Sequence, residues 1–204
     1  MLVIGLTGRS CAGKNCFADE FSSLGIPVID VDRLGHAALV ARSRLVAEVF
    51  GPEVVASDGS IDRKALGRIV FADPVQLRKL ESISHPWMVE ECCRLITEAT
   101  ASGAPAIVLN AALLHRMRLD SLCDVVMFVK VPFYTRYRRA KERDNVSWEG
   151  FRTREKSQFD IDPKVFKGSV PVIIVDNDGD PALIHRQVME FCDTIGERMS
   201  LSHE

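Results

Sequence analysis

The sequence predicts an α/β domain built on a parallel sheet, and three observations carry that expectation. Short apolar runs rich in Val and Ile recur at Leu2–Leu6, Ile26–Ile29, Ala106–Leu109, Val125–Val131 and Val172–Val175. Such runs, bounded by turn residues, suit strands buried on both faces. Helical patterns separate them, and strands alternating with helices imply crossover connections. The first run leads straight into a glycine-rich loop ending in Gly13-Lys14.

The elements follow in order. After the first strand, Phe17, Phe21 and Leu24 repeat at helix spacing, and Gly25 stands where a C-terminal cap belongs. Between Asp32 and Gly103 the strand signal disappears. Leu66, Ile69 and Val70 predict one helix, Leu77, Leu80 and Ile83 a second, and Val89, Cys93 and Ile96 a third. Gly51-Pro52, Asp58-Gly59-Ser60 and Asp73-Pro74 punctuate that stretch. It reads as a helical insertion between the second and third strands. Past the fourth strand, Pro132 opens a helix whose Phe133, Tyr137 and Ala140 share a face. Ile184, Val188, Phe191 and Ile195 mark the last amphipathic helix.

A chain of 204 residues, 47% hydrophobic and 26% charged, has the balance of one globular domain with a sizeable core. Its formal net charge of −2 gives no reason to expect a nucleic-acid or anionic-membrane partner. Cys11, Cys16, Cys92, Cys93, Cys123 and Cys192 form no C-x-x-C pair, so they read as small apolar residues of a reducing compartment. MLVIGL lacks a basic n-region and is too short for a signal peptide, and the run Ala104–Leu114 is interrupted by Pro105 and Asn110. A bilayer span needs ~20 apolar residues. The expected location is the cytoplasm.

Gly8-Arg9-Ser10-Cys11-Ala12-Gly13-Lys14-Asn15 is a G-x-x-x-x-G-K pattern between a predicted strand and a predicted helix. Glycines allow the tight turn that aims successive N–H groups at phosphate oxygens, and the helix that follows adds the positive end of its dipole. Lys14 then reaches the β- and γ-phosphates of ATP. The strict motif has Ser or Thr at position 15, whose hydroxyl binds Mg²⁺; here Asn15 offers an amide oxygen, also a hard ligand. At the end of the second strand, Asp32 is a candidate to accept a proton from an attacking hydroxyl or to hold Mg²⁺ through water. Its structural alternative is the N-cap of a helix beginning at Arg33. Arg136, Arg138, Arg139, Lys141 and Arg143, followed by Arg152, Arg154 and Lys156, read mainly as solvated faces. One or two of these can fold over a triphosphate. Val175-Asp176-Asn177-Asp178-Gly179 ends the fifth strand, where Asn177 can bond a base or simply turn the chain.

The chain resembles the dephospho-coenzyme A kinase family in IGLTG with its loop, LGIPVIDVD, DGSIDRKALGRIVFADP, His85-Pro86, RAKERDN, TRE and VDNDG, in the family's order. The resemblance implies a P-loop kinase fold with a five-stranded parallel sheet flanked by helices. Its core would span 1–32, 104–146 and 170–200, a helical coenzyme A-substrate region about 33–103, and a lid about 147–169. It implies transfer of the γ-phosphoryl of ATP to the ribose 3′-hydroxyl of dephospho-coenzyme A with Mg²⁺. By motif match, Gly8, Cys11, Ala12, Gly13, Lys14, Asn15 and Cys16 fall on the ATP phosphate loop, and Asp32 near the acceptor hydroxyl. His85 falls in the substrate region, and Arg143 and Arg154 on the lid side of ATP. The family's Pro-Leu-Leu-x-Glu segment after the third strand is here Ala112-Leu113-Leu114-His115-Arg116, so an acidic position is basic. Phe159–Gly168, with Asp160, Asp162, Lys164 and Lys167, has no clear family counterpart. These departures leave two other readings open: a different P-loop nucleoside or nucleotide kinase, and a non-catalytic ATP-binding regulator.

Overall fold

The computed structural model describes residues 1–201, and side chains through residue 196. Among the described residues five strands form one sheet: β1 (Leu2–Thr7), β2 (Val28–Asp30), β3 (Ala106–Asn110), β4 (Val125–Lys130) and β5 (Val172–Asp176), in the order β2-β3-β1-β4-β5. β1 lies parallel to both β3 and β4, and β4 parallel to β5. The α/β fold class expected from the sequence is the one observed. Every residue of β3 is buried, as are five of the six in β4. Strands covered on both faces need no polar alternation, which is why they read as continuous apolar runs.

Two compact units divide the chain: residues 1–29 with 98–204, and residues 30–97. In the first, helix α1 (Lys14–Ser23) and helix α8 (Pro181–Leu201) pack on the sheet through Phe17, Phe21, Val188, Phe191 and Ile195, against Ile4, Leu6 and Met127. The Phe21 and Phe191 rings meet edge to face at 6.0 Å. Burying side chains of this size stabilises by roughly 1.5–3 kcal/mol each. α1 ends as expected at Gly25. The Ile26 N–H donates to Phe21 O and the Gly25 N–H to Ser22 O, both at 3.0 Å, with Gly25 at φ 79°. That is a Schellman cap, which returns the chain towards β2.

The second unit holds α2 (Val31–Ala41), α3 (Ser43–Phe50), α4 (Arg63–Ala72) and the start of α5 (Pro74–Ala101) around Val46, Phe50, Val54, Leu66 and Val70. The Asp58-Gly59-Ser60 turn forms: Asp58 Oδ1 accepts from the Ser60 N–H at 2.9 Å and from its hydroxyl at 2.6 Å. One expectation fails here. The second and third predicted helices are a single 28-residue helix that runs through Pro86. Proline removes one backbone donor and crowds the preceding turn at a cost of ~3 kcal/mol, yet long helical segments on both sides outweigh it.

Beyond β4, α6 (Phe133–Asp144) and α7 (Trp148–Ser157) are joined by aromatic contacts. Phe133 meets Phe151 at 5.2 Å and Tyr137 meets Trp148 at 4.9 Å between ring centres. Pro132 is the N-cap of α6, one residue earlier than the first-turn position expected. Among the described residues, no helix is long and apolar enough to cross a membrane.

Candidate active site

The carboxyl end of β1 and the start of α1 are joined by the loop Gly8–Gly13, and its shape follows from two close approaches. A Cβ on Gly8 would lie 2.5 Å from the Val129 carbonyl oxygen. At Gly13, with φ +82°, a Cβ would lie 2.2 Å from the Asn177 amide nitrogen. Neither position admits another residue without moving backbone or a buried side chain. Between them Cys11 takes a left-handed φ of 61°. For a non-glycine residue this costs on the order of 1–2 kcal/mol, strain of the kind that collects at functional sites. Gly13 is the N-cap of α1 and offers no side-chain cap. The first helical turn therefore presents the positive end of its dipole to the loop, the standing requirement for an anion, while the Cys16 N–H donates to Gly13 O at 3.0 Å. Lys14, half-buried, is the first residue of that helix.

Asn177, just past β5, and Arg139, on α6, brace this loop. Asn177 is 4% exposed; its Nδ2 donates to Ala12 O at 2.8 Å, while its Oδ1 accepts from the Gly179 N–H at 2.9 Å. Arg139 Nη2 donates to the Asn177 carbonyl at 3.0 Å. The Asn177 side chain thus bonds backbone on both sides, and what it supplies is the form of the loop. Gly13, Cys16, Arg139, Asn177, Gly179 and Pro181 line a cavity of about 470 Å³ beside the loop. That cavity is an opening of the size a nucleoside needs.

Charged groups converge from α6 and α7. Arg136, 3% exposed, forms a two-point ion pair with Glu155 and donates from Nε to Val131 O at 3.1 Å. Arg9 adds a second guanidinium 3.4 Å from Glu155. Burial alone would push the Glu155 carboxyl up, but the Arg136 bonds and charge outweigh it and hold it below the usual range. Arg154 Nη1 lies 3.4 Å from Ser10 Oγ and 3.4 Å from Asp144. Arg143 pairs with Asp144 at 2.8 Å. Its own bonds to Arg143, then those of Arg154, hold Asp144 down at about 2. Arg154 therefore reaches the phosphate loop, while Arg143 is engaged at its exposed rim.

On the β3 side, Asn110 is 3% exposed, and its Nδ2 donates to Asn15 Oδ1 at 3.0 Å. Asn110 Oδ1 is buried without a protein partner among the described residues. Asn110 did not stand out in the sequence; its signal was the lone polar residue at the carboxyl end of an apolar strand. Nor did the sequence show the partner of Arg116, whose guanidinium is paired with Asp160 at 2.6 Å. The large basic clusters hid Arg136 and Arg139 in the same way.

Asp32 and His85 belong to the second unit. Asp32 is exposed in the first turn of α2 and is not its cap; Asp30 is, accepting from the Arg33 N–H at 2.9 Å. The N-cap alternative for Asp32 is thereby overturned, because α2 starts two residues earlier than Arg33. His85 is half-buried inside α5, immediately before Pro86.

A protein-family model described as dephospho-CoA kinase matches residues 2–182. A dephospho-CoA kinase of Anaeromyxobacter dehalogenans is 38% identical over 188 residues, covering 89% of this chain and 86% of that protein. A solved structure from Thermus thermophilus superposes with a TM-score of 0.77 at 30% identity, covering 95% of this chain and 97% of the other. A dephospho-CoA kinase from Campylobacter jejuni superposes with a TM-score of 0.67 at 22% identity, covering 96% and 97% of the two chains, a likeness of fold.

Proposed function

The chain belongs to the dephospho-coenzyme A kinase family, and we propose that it transfers the γ-phosphoryl group of ATP to the ribose 3′-hydroxyl of dephospho-coenzyme A. The observation that carries this reading is the braced, uncapped loop at Gly8–Lys14. In the reaction the 3′-oxygen forms a bond to the γ-phosphorus as the bond to the β-γ bridging oxygen breaks, and ADP leaves. Amides of the loop and of the first turn of α1 hold the phosphates, and Lys14 offsets the charge on the β- and γ-oxygens. Gly8, Cys11, Ala12, Gly13, Asn15 and Cys16 shape that cradle. Arg154 approaches it from α7 and Arg143 contributes at the rim, while Asn177 secures the loop beneath the base. We assign Asp32 as the acceptor of the hydroxyl proton and His85 to the dephospho-coenzyme A side.

Mg²⁺ fits the donor set. Asn15 offers an amide oxygen, and the orphaned Oδ1 of Asn110 lies on the partner of that same amide. Hard oxygen donors at this end of β3 suit the ion, which would neutralise charge on the β- and γ-phosphates when bound. Residues 33–103 form the substrate-binding region in this reading, and 147–169 the lid. Six free thiols suit a reducing compartment and support the cytoplasm as its location. The modest net charge argues against nucleic acid as a partner.

A coupled assay of ADP formation against a panel of nucleoside, nucleotide and dephospho-coenzyme A acceptors tests the proposal. Turnover that requires dephospho-coenzyme A is the expected result. ADP formed with another acceptor instead identifies a different kinase, and ATP binding with no turnover identifies a regulator.

A further inference from the structure

The last residue of α7 and the four that follow it, positions 157–161, are tied down on two sides. On one side, Arg116 Nε and Nη2 donate to the two oxygens of Asp160 at 2.7 and 2.6 Å, and Nη2 also donates to Ser157 O at 2.6 Å. His115 Nε2 lies 2.9 Å from the same carboxylate. On the other side, Arg9 of the phosphate loop donates from Nε to Ile161 O at 2.9 Å and from Nη2 to Phe159 O at 3.3 Å. Between these anchors Gln158 Oε1 accepts from the Ser10 N–H at 2.8 Å. Arg154, one turn earlier, is the residue that reaches Ser10 Oγ.

We propose that Arg116 and Asp160, with His115, are positioning residues for phosphoryl transfer, holding this strap so that Gln158 and Arg154 stay registered on the phosphate loop. The inference rests on the kinase reading above. Two parallel charge-assisted bonds fix both distance and plane, which a single point contact cannot do. The Arg116 and Asp160 side chains are 24% and 26% exposed, so salt and water weaken the pair less than a fully solvated one. Among the described residues these bonds from the strap to the loop end on Arg9 and Ser10, inside the loop assigned to phosphate. A shift of ~1 Å in a group that meets the transferring phosphoryl can cost on the order of 100-fold in rate. A contact that served stability alone would lower the melting temperature and leave the rate of the folded enzyme unchanged.

The test compares Asp160→Asn, Arg116→Gln and the double variant with the wild-type chain. It measures kcat, KM for ATP, melting temperature and amide hydrogen exchange of the peptide containing Ser10 without nucleotide. Each single variant is expected to lose about 10- to 100-fold in kcat, with a smaller change in KM, and to exchange faster at Ser10. The double variant should be no worse than the poorer single, because both remove one interaction. Unchanged kcat and unchanged Ser10 exchange with a lowered melting temperature overturns the proposal. If Asp160→Asn does not fold, Gln158→Ala replaces it; that variant removes the acceptor from Ser10 alone and must reproduce both effects. A wild-type chain without kinase turnover overturns the function itself, whereas the exchange measurement judges the strap independently of activity.

Discussion

Asn110 donates its side-chain N–H to the side-chain oxygen Oδ1 of Asn15 across 3.0 Å, so two neutral amides meet where β3 ends beside the first turn of α1. A hydroxyl and a carboxylate would give a metal one harder and more negative ligand than this pair does. On the proposed reading Mg²⁺ would meet only neutral oxygens here, and a higher concentration should be needed for half-maximal rate. Asn15→Ser should keep activity, and Asn15→Ser with Asn110→Asp should lower the Mg²⁺ concentration required. Titrating the rate with Mg²⁺ checks this; a rate independent of divalent metal, or an inactive Asn15→Ser, removes both assignments.

Lys14 opens α1, and that helix is anchored in the core by Phe17 and Phe21. Lys14→Ala should cut turnover by at least about 100-fold while melting without nucleotide changes little. Steady-state kinetics and a thermal scan decide it. Wild-type rates in the variant would dismiss the phosphate-loop assignment.

Asp32 can be separated from helix capping because Asp30 does the capping. Asp32→Asn removes charge and proton acceptor, and kcat should fall by about 10²- to 10⁴-fold with ATP affinity nearly constant. Asp30→Ala should do the opposite, lowering stability by about 0.5–2 kcal/mol with a smaller effect on turnover. Normal turnover in Asp32→Asn ends the case for a general base.

Acid should loosen the first unit through its paired carboxylates. The Arg116 bonds hold Asp160 well below the usual range against its partial burial, and Arg136 does the same for Glu155 against a stronger burial effect. A depressed folded pKa contributes stability that is complete above the unfolded value of about 4 and is lost as pH falls through the folded one. Melting temperature should therefore fall as pH drops below about 5, and Asp160→Asn should flatten that decline. A decline identical in the two proteins would contradict the Asp160 contribution.

Much of this molecule is legible locally. β1, β3 and β4 announce themselves because burial on both faces removes polar alternation, β2 and β5 by short runs of β-branched residues between turn residues, and the Gly25 cap because only a left-handed residue closes α1 there. The phosphate loop is legible for the same reason: its glycines stand where a Cβ would strike Val129 or Asn177. Pro86 misled because a local breaking signal of a few kcal/mol was outweighed by the length of helix on either side. Asp32 was read as a possible cap because helix starts are uncertain by a residue or two, and Asp30 offers the same chemistry.

The sequence by itself determined the class of sheet, the anion-binding loop and the family, since periodicity, glycine placement and short motifs are properties of neighbouring residues. Only the tertiary structure decided which charges are partners. Arg116 stood in the sequence as a basic residue at an acidic position, and Asp160 as part of a segment with no counterpart, until the fold brought the two together across 44 positions. Arg136 looked like one cation on a solvated face until Glu155 was found against it in the interior. A charge pair is set by the distance between side chains rather than by spacing along the chain, and a charge withdrawn from water must find a partner wherever the fold supplies one.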